Sequence, residues 1–343
     1  MKTFVIAEAG VNHNGEEALA LQLVDVAKEC GADAVKFQTF SADKLVRKGA
    51  EKAEYQKRET GEGDQYAMLK GLEMSEALHH KLVKRCNDIG IEFMSTPFDE
   101  DAADFLVSLG MQHIKIPSGE ITNHPFLKFL AQKDIPLILS TGMSTLDEIN
   151  AAVSVIATER FINGFISPIE EILTILHCTS NYPADTKDVN LRAMQTIAKS
   201  TGLPVGYSDH TLGSAVSTAA VALGAAIIEK HFTIDKNLPG PDHKASLTPF
   251  ELKELIKQIR DVEYALGSSI KEPTQSELPV RALVRRSLTI VKSLKSGMKI
   301  SADDVAILRP GTGILPSELT IVLGKKVIRD ISSGTTLQWS DLE

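Results

Sequence analysis

Apolar positions in the first two thirds of the chain fall into short unbroken runs, and between the runs they recur every third or fourth residue. Eight runs begin between Thr3 and His231: TFVIAE, DAVKFQ, IEFMST, HIKIPS, PLILST, ILTILHCTS, PVGYSD and AIIEKHF. Runs of this kind, separated by helical segments, predict strands buried on both faces, as in a parallel sheet sheathed by helices. In the first intervening segment Ala20, Leu23, Val24, Ala27 and Cys30 share one helical face, and Gly31 follows as a stop. The same spacing predicts helices over 75–89, 99–109, 123–132, 145–157, 190–200, 212–223 and 248–266. Eight strands alternating with eight helices favour an α/β fold of the closed (β/α)8 TIM-barrel type over an open doubly wound sheet.

Each strand runs out into polar or ionisable residues. In order they are Glu8; Lys36 and Gln38; Thr96; Lys115, Ser118 and Glu120; Ser140; His177 and Thr179; Asp209 and His210; and Glu229, Lys230 and His231. Barrel enzymes build their sites at the C-terminal rim of the strands, so this polarity marks a candidate rim. The charged stretch 41–73 predicts an excursion over that rim. After Gly267 the texture changes. Residues 268–284 are polar with two prolines and read as a linker, and 285–343 alternate short strands with turns. The expected organisation is a catalytic barrel over 1–267, a linker over 268–284 and a small β-rich domain over 285–343, too small to bury much core alone and expected to lean on a partner surface.

Composition narrows the function. The net charge is −8, from 37 Lys+Arg against 45 Asp+Glu, so no global basic field recruits nucleic acid. No apolar run approaches the length of a membrane span, and the first strand begins too early to leave room for a signal peptide. Cys30, Cys86 and Cys178 are odd in number and sit in apolar or helical patterns, which reads as reduced packing residues of a cytoplasmic protein.

His210 and His231 close the seventh and eighth runs, and one helix length separates them. On neighbouring parallel strands the two imidazoles would stand side by side and could share a divalent ion, with open positions for water and substrate. The alternative is structural: His210 capping the next helix and His231 simply hydrogen-bonded. Two histidines without a third nitrogen or sulfur ligand argue against a closed structural zinc site. Lys36 and Lys115 at strand ends suit an anion clamp, a Schiff base or a solvated end, and the PSG turn after Lys115 could cradle an anion. Glu8 and Glu120 are the candidate acid–base or hydroxyl-binding carboxylates.

Nine ordered segments, IAEAGVNHNG, GADAVKFQTF, STPFDE, KIPSGE, STGMST, LHCTSNYP, GYSDHT, IEKHFTIDKNLPGPDHKAS and RPGTGI, together resemble the bacterial sialic acid synthases. The resemblance runs from Phe4 to the C-terminus. It implies condensation of phosphoenolpyruvate with an N-acylated mannosamine-type aldose, giving a nine-carbon 2-keto acid and phosphate. It further implies that the last part is an antifreeze-like SAF domain, exchanged between the protomers of a domain-swapped homodimer.

By that resemblance His210 and His231 would hold a divalent metal, manganese or else magnesium or cobalt. Lys36, Thr96, Lys115, Ser118, Gly119, Ser140 and Ser180 would surround phosphoenolpyruvate. Glu8, Gln38, Tyr182 and Asp242 would bind the sugar, with Arg309 arriving from the partner protomer and Glu120 moving or orienting a proton. Ser180 stands where some relatives carry asparagine. The expected product is N-acetylneuraminate from N-acetylmannosamine, with N,N'-diacetyllegionaminate from the 2,4-diacetamido-2,4,6-trideoxy sugar as the alternative. The rivals are a metal-independent aldolase with a Schiff base on Lys115 or Lys230, and a non-catalytic ice-binding protein.

Overall fold

A computed structural model describes residues 2–343 and divides them into two compact units, the first ending at Gly267 and the second beginning at Ser268. In the first unit eight parallel strands follow the order β3-β2-β1-β8-β7-β6-β5-β4. They are β1 (Phe4–Gly10), β2 (Ala34–Thr39), β3 (Glu92–Pro97), β4 (Ile114–Ile116), β5 (Leu137–Ser140), β6 (Leu173–Cys178), β7 (Val205–Asp209) and β8 (Ile227–His231). Pairing of β1 with β8 joins the two halves, and β3 packs on β4 to complete a near-closed TIM barrel. Around it run α1 (Glu17–Cys30), α2 (Glu76–Ile89), α3 (Glu100–Ser108), α4 (His124–Ala131), α5 (Leu146–Ile162), α6 (Ala193–Thr201), α7 (Ala215–Ala222) and α8 (Pro249–Leu266).

Strand periodicity explains where everything goes. Side chains alternate faces, so the outward set (Val5, Val35, Phe93, Ile114, Leu137, Ile175, Val205 and Ile228 among them) packs under the helices in one large core. The inward set forms a separate plug of Ile6, Ala34, Met94, Ile138, Leu176 and Ile227. Two residues further along the same strands the inward positions are Glu8, Lys36, Thr96, Ser140, Cys178 and Glu229. Apolar floor and polar rim are thus one pattern read two residues apart.

Helix starts are set by side-chain caps: Ser75, Asp99, Asn123, Thr145 and Thr248 each accept a backbone N–H of the first turn. The expected helix over 145–157 runs on to Ile162. Arg160 in its last turn is buried and donates to the Ala131 and Lys133 carbonyls and to Asp134, giving that turn a polar anchor that apolar spacing does not register. The excursion 41–73 holds three short helices, Ala42–Leu45, Glu54–Thr60 and Gln65–Lys70, seated on Val11, Phe40, Leu72 and Phe98.

The second unit has its own core of Leu288, Ile290, Leu294, Ile300, Ile314, Val322, Val327, Ile331 and Leu337. Its antiparallel pair is β9 (Ser287–Ile290) with β10 (Val305–Leu308). The segment read from sequence as a linker contains a further helix, α9 (Glu277–Val284), that buries none of its residues; Leu278, Val280, Leu283 and Val284 remain exposed. Its polar, proline-bearing start hides the eight-residue amphipathic stretch that follows. Among the described residues no helix is long and apolar enough to cross a membrane.

Candidate active site

The inward rim residues enclose a cavity of about 220 Å³ at the C-terminal mouth of the barrel. Of the residues expected from sequence, Glu8, Lys36, Gln38, Thr96, Lys115, Ser118, Gly119, Ser140, Ser180, Tyr182, His210 and His231 all line it.

Two lysines and two carboxylates form its charged floor. Lys36 Nζ donates to Thr96 Oγ1 at 3.0 Å, and lies 2.6 Å from Glu8 Oε2 and 3.6 Å from Glu229 Oε2. Lys115 Nζ donates to Ser140 Oγ at 2.7 Å and lies 3.6 Å from Glu229 Oε1, which also accepts from Ser208 Oγ at 2.8 Å. At that separation each pair is worth roughly 5 kcal/mol for an effective dielectric near 20, enough to keep buried charges in place. Burial opposes ionisation of Glu229, but Lys115 and Lys36 outweigh it and hold the carboxyl down at about 2. For Glu8 burial wins: the carboxyl is pushed up to about 7, with the Glu229 carboxylate adding to the rise and Lys36 and Lys115 pulling the other way. Burial also works against Lys36, but Glu229 and Glu8 together raise it above its ordinary value. Lys115 is lowered by burial; it has Glu229 in its favour and Lys36 against it. The cavity thus separates one firmly ionised carboxylate from one near neutrality.

The histidines stand together as the strand pairing requires. Asp209 pairs with Lys230 across β7 and β8, so one step further brings His210 beside His231, with ring centroids 5.5 Å apart. His210 Nδ1 donates to the Thr179 carbonyl at 2.7 Å, which leaves Nε2 with its lone pair. Burial resists charging His210, but Cys178 and the Thr179 carbonyl outweigh it and raise it. At His231 burial and the neighbouring His210 act in the same direction and keep the ring neutral, and its Nδ1 is buried without a partner. The Tyr182 ring lies over His210 at 4.1 Å and meets His231 edge-on at 5.6 Å. Two neutral-capable imidazoles with unused nitrogens fit an open divalent site completed by water and substrate. They do not fit a closed structural one, since among the described residues no third His, Cys, Asp or Glu joins them.

Bare backbone at Gly142 backs two hydroxyls of the cavity wall. Gly142 N donates to Ser118 Oγ at 2.9 Å, and a Cβ on Gly142 would fall 2.1 Å from Ser180 Oγ and 2.9 Å from Ser118 Oγ. Any side chain at 142 would fill the corner between these two hydroxyls, both of which line the cavity. At the other side, Gly10 turns the end of β1 with φ +53°, where a Cβ would press on His231 and Glu8.

Sequence reasoning gave several lining residues no role in the site. Glu229, Ser208, Cys178, Phe98, Pro117 and Met143 also line the cavity. Cys178, read as packing, places Sγ 3.7 Å from Ser118 Oγ and 3.8 Å from His210 Nδ1. The signal for Glu229 was parity: with Ile227 inward, Glu229 and His231 must also face inward and Lys230 outward. Lys230 accordingly sits in the helical layer, paired with Asp209 at 2.9 Å, which removes it as a Schiff-base candidate in this cavity.

Three expected residues do not line the cavity. Glu120 is the third residue of the 3-10 turn Ser118–Glu120, so it points away from Ser118 and accepts instead from Asn123 at the start of α4. Asp242 is buried behind the lining, where burial pushes its carboxyl up to about 6 against the pull of His210. Arg309 stands exposed in the second unit.

Comparison with known proteins assigns the family. The NeuB family model matches residues 23–271 and the SAF domain model residues 285–343. The chain belongs to the NeuB family. It is 56% identical to the N,N'-diacetyllegionaminic acid synthase of Legionella pneumophila, covering 100% of this chain and 95% of that one. Identity to the protein of the same name from Campylobacter jejuni is 46%, over 94% and 95% of the two chains. Among solved structures, the N-acetylneuraminic acid synthetase of Leptospira borgpetersenii, in complex with citrate, superposes with a TM-score of 0.70 at 34% identity, covering 82% of this chain and 90% of that one. As a NeuB-family member the chain has the TIM barrel that its strand pattern predicts and the SAF domain that its family resemblance implies.

Proposed function

We propose that this chain condenses phosphoenolpyruvate with 2,4-diacetamido-2,4,6-trideoxymannose and water, giving N,N'-diacetyllegionaminate and phosphate. The observation that carries this choice is the 56% identity, along the whole chain, to the Legionella synthase of that product. N-acetylneuraminate formation from N-acetylmannosamine, the first expectation from sequence, has support at the level of the family.

In this reading the hydroxyls of Ser118, Ser140, Ser180 and Thr96 and the ammonium groups of Lys36 and Lys115 receive the phosphate and carboxylate of phosphoenolpyruvate. The lysines already face Glu8 and Glu229, so the surplus positive charge for the anion comes from a divalent ion on His210 and His231. Such an ion, manganese by family resemblance, would polarise the sugar aldehyde as a Lewis acid. C3 of the enol attacks the aldehyde carbon, water adds at C2, and the tetrahedral centre expels phosphate by C–O cleavage. Glu8, near neutrality and lining the same cavity, is suited to hold the proton that water gives up. Tyr182 and Gln38 shape the sugar side of the cavity, with Asp242 behind them. We further propose that the enzyme works as a homodimer in which Arg309 of one copy serves the cavity of the other.

Phosphate release measured with each sugar tests the substrate. The trideoxy sugar should exceed N-acetylmannosamine and its 6-phosphate by at least about tenfold in kcat/KM. Preference for either of the latter would overturn the assignment. Turnover should vanish on chelation and return with manganese; full activity after exhaustive chelation would remove the metal from the proposal.

A further inference from the structure

The excursion helix Glu54–Thr60 makes a set of contacts that the chemistry above does not use. The Tyr55 ring packs on Tyr182 with centroids 5.1 Å apart, and Tyr182 in turn packs on His210 at 4.1 Å. Arg58 Nη2 donates to the Tyr182 carbonyl at 3.3 Å. Glu59, its carboxylate nearly buried, bridges Arg58 at 2.8 Å and Lys244 at 2.6 Å, and so reaches the loop after β8 that also carries Asp242. The two cations hold the Glu59 carboxyl below the usual range. Behind them Lys52 ties the helix end to its own loop through Thr60 and the Gly61 carbonyl. One seven-residue helix therefore touches the β6 loop by a ring and a hydrogen bond and the β8 loop by an ion pair.

These two loops carry Tyr182 and Asp242, which belong to the sugar side, whereas the residues assigned to phosphoenolpyruvate, Ser180 apart, lie on other strand ends and turns. We propose that Tyr55, Arg58 and Glu59 are positioning residues that clamp Tyr182 and the Asp242–Lys244 loop over the histidine pair, setting affinity for the sugar and leaving affinity for phosphoenolpyruvate alone. The assignment of sides rests on the proposed function; the clamp itself rests on the contacts. Without Tyr55 the Tyr182 ring keeps its contact with His210 but loses the second ring packed against it. Without Glu59, Arg58 and Lys244 lose the carboxylate that joins them, and the two loops are uncoupled.

The test uses the full chain with Tyr55→Ala, Tyr55→Phe and Glu59→Ala. Amide hydrogen exchange should quicken over 181–184 and 238–246 in Tyr55→Ala and Glu59→Ala, while β2 and β4 keep their wild-type rates. In both variants the sugar KM should rise about tenfold or more with kcat changed less, and the phosphoenolpyruvate dissociation constant should stay within about twofold. Tyr55→Phe, which keeps the ring, should behave as wild type. Unchanged exchange in both loops overturns the clamp, as does an equal loss for the two substrates. Quickened exchange in a protein whose wild type turns over none of the sugars would uphold the clamp and reject the function.

Discussion

At the scale of single residues the site depends on atoms that are missing as much as on those present. Gly142→Ala would put a methyl 2.1 Å from Ser180 Oγ and 2.9 Å from Ser118 Oγ, two hydroxyls proposed to bind phosphoenolpyruvate. The expected result is a phosphoenolpyruvate KM raised about tenfold or more, with the melting temperature little changed because the clash is with the far ends of side chains. An unaltered KM would show that the anion sits elsewhere. Acid lability is a second residue-scale effect. Burial holds His13 and His243 down at about 4, against 6.5 for a free imidazole. The unfolded chain therefore takes up protons that the folded one refuses, so stability is full above pH 6.5 and is lost as pH falls toward 4. Each residue costs on the order of 3 kcal/mol by pH 4. Urea midpoints measured from pH 7.5 to 4.5 should fall steeply for the wild type and less steeply for His243→Gln; parallel curves would contradict the assignment. The residues legible from sequence were those whose type is unusual at a strand end, such as His231 and Lys115. Glu229 was seen only as a polar terminus, and Gly142 not at all, because a residue that acts by lacking a side chain leaves no chemical signature in a string of letters.

Elements were more legible than side-chain partners. The strands emerged because eight apolar runs have no solvent-facing side to advertise, and the helices because their spacing is regular; α9 escaped because a proline-bearing polar segment leads into it. What the pattern could not supply was which face each strand residue takes until the barrel interior was fixed by Ile6, Met94, Leu176 and Ile227. Once that parity is known, Lys230 becomes a structural residue. It lies on the outer face of β8, and Asp209 beside it also accepts from Thr211 N, Thr211 Oγ1 and Ser217 Oγ, so the pair fixes the turn that presents His210. Lys230→Met leaves that carboxylate buried without its cation and should destabilise the barrel by about 3–5 kcal/mol. Asp209→Leu combined with Lys230→Met should recover part of the loss, since neither charge is then stranded. Borohydride treatment with a keto acid should leave Lys230 unlabelled in the wild type. A labelled Lys230, or a silent Lys230→Met, would return it to the list of chemical residues.

For the molecule as a whole, the issue is whether one chain holds everything its reaction needs. The barrel unit contains the lysines, the serines and the histidine pair, and Arg309 belongs to the other unit. If Arg309 acts on the cavity of a second copy, Arg309→Ala should raise the sugar KM while leaving phosphoenolpyruvate binding within about twofold. His231→Ala should instead abolish turnover at its own cavity. The two lesions then lie in different parts of one shared site. Mixing the two inactive or weakened variants, after dissociation and reassociation, produces some dimers in which one cavity has both an intact His231 and an intact Arg309. With random pairing, half the dimers are mixed and one of their two cavities is whole, so about a quarter of wild-type activity should return. Each variant mixed with itself should regain nothing. Failure of the mixture to exceed the average of its parts, in samples shown to have exchanged subunits, would confine Arg309 to its own chain and end the case for a shared site.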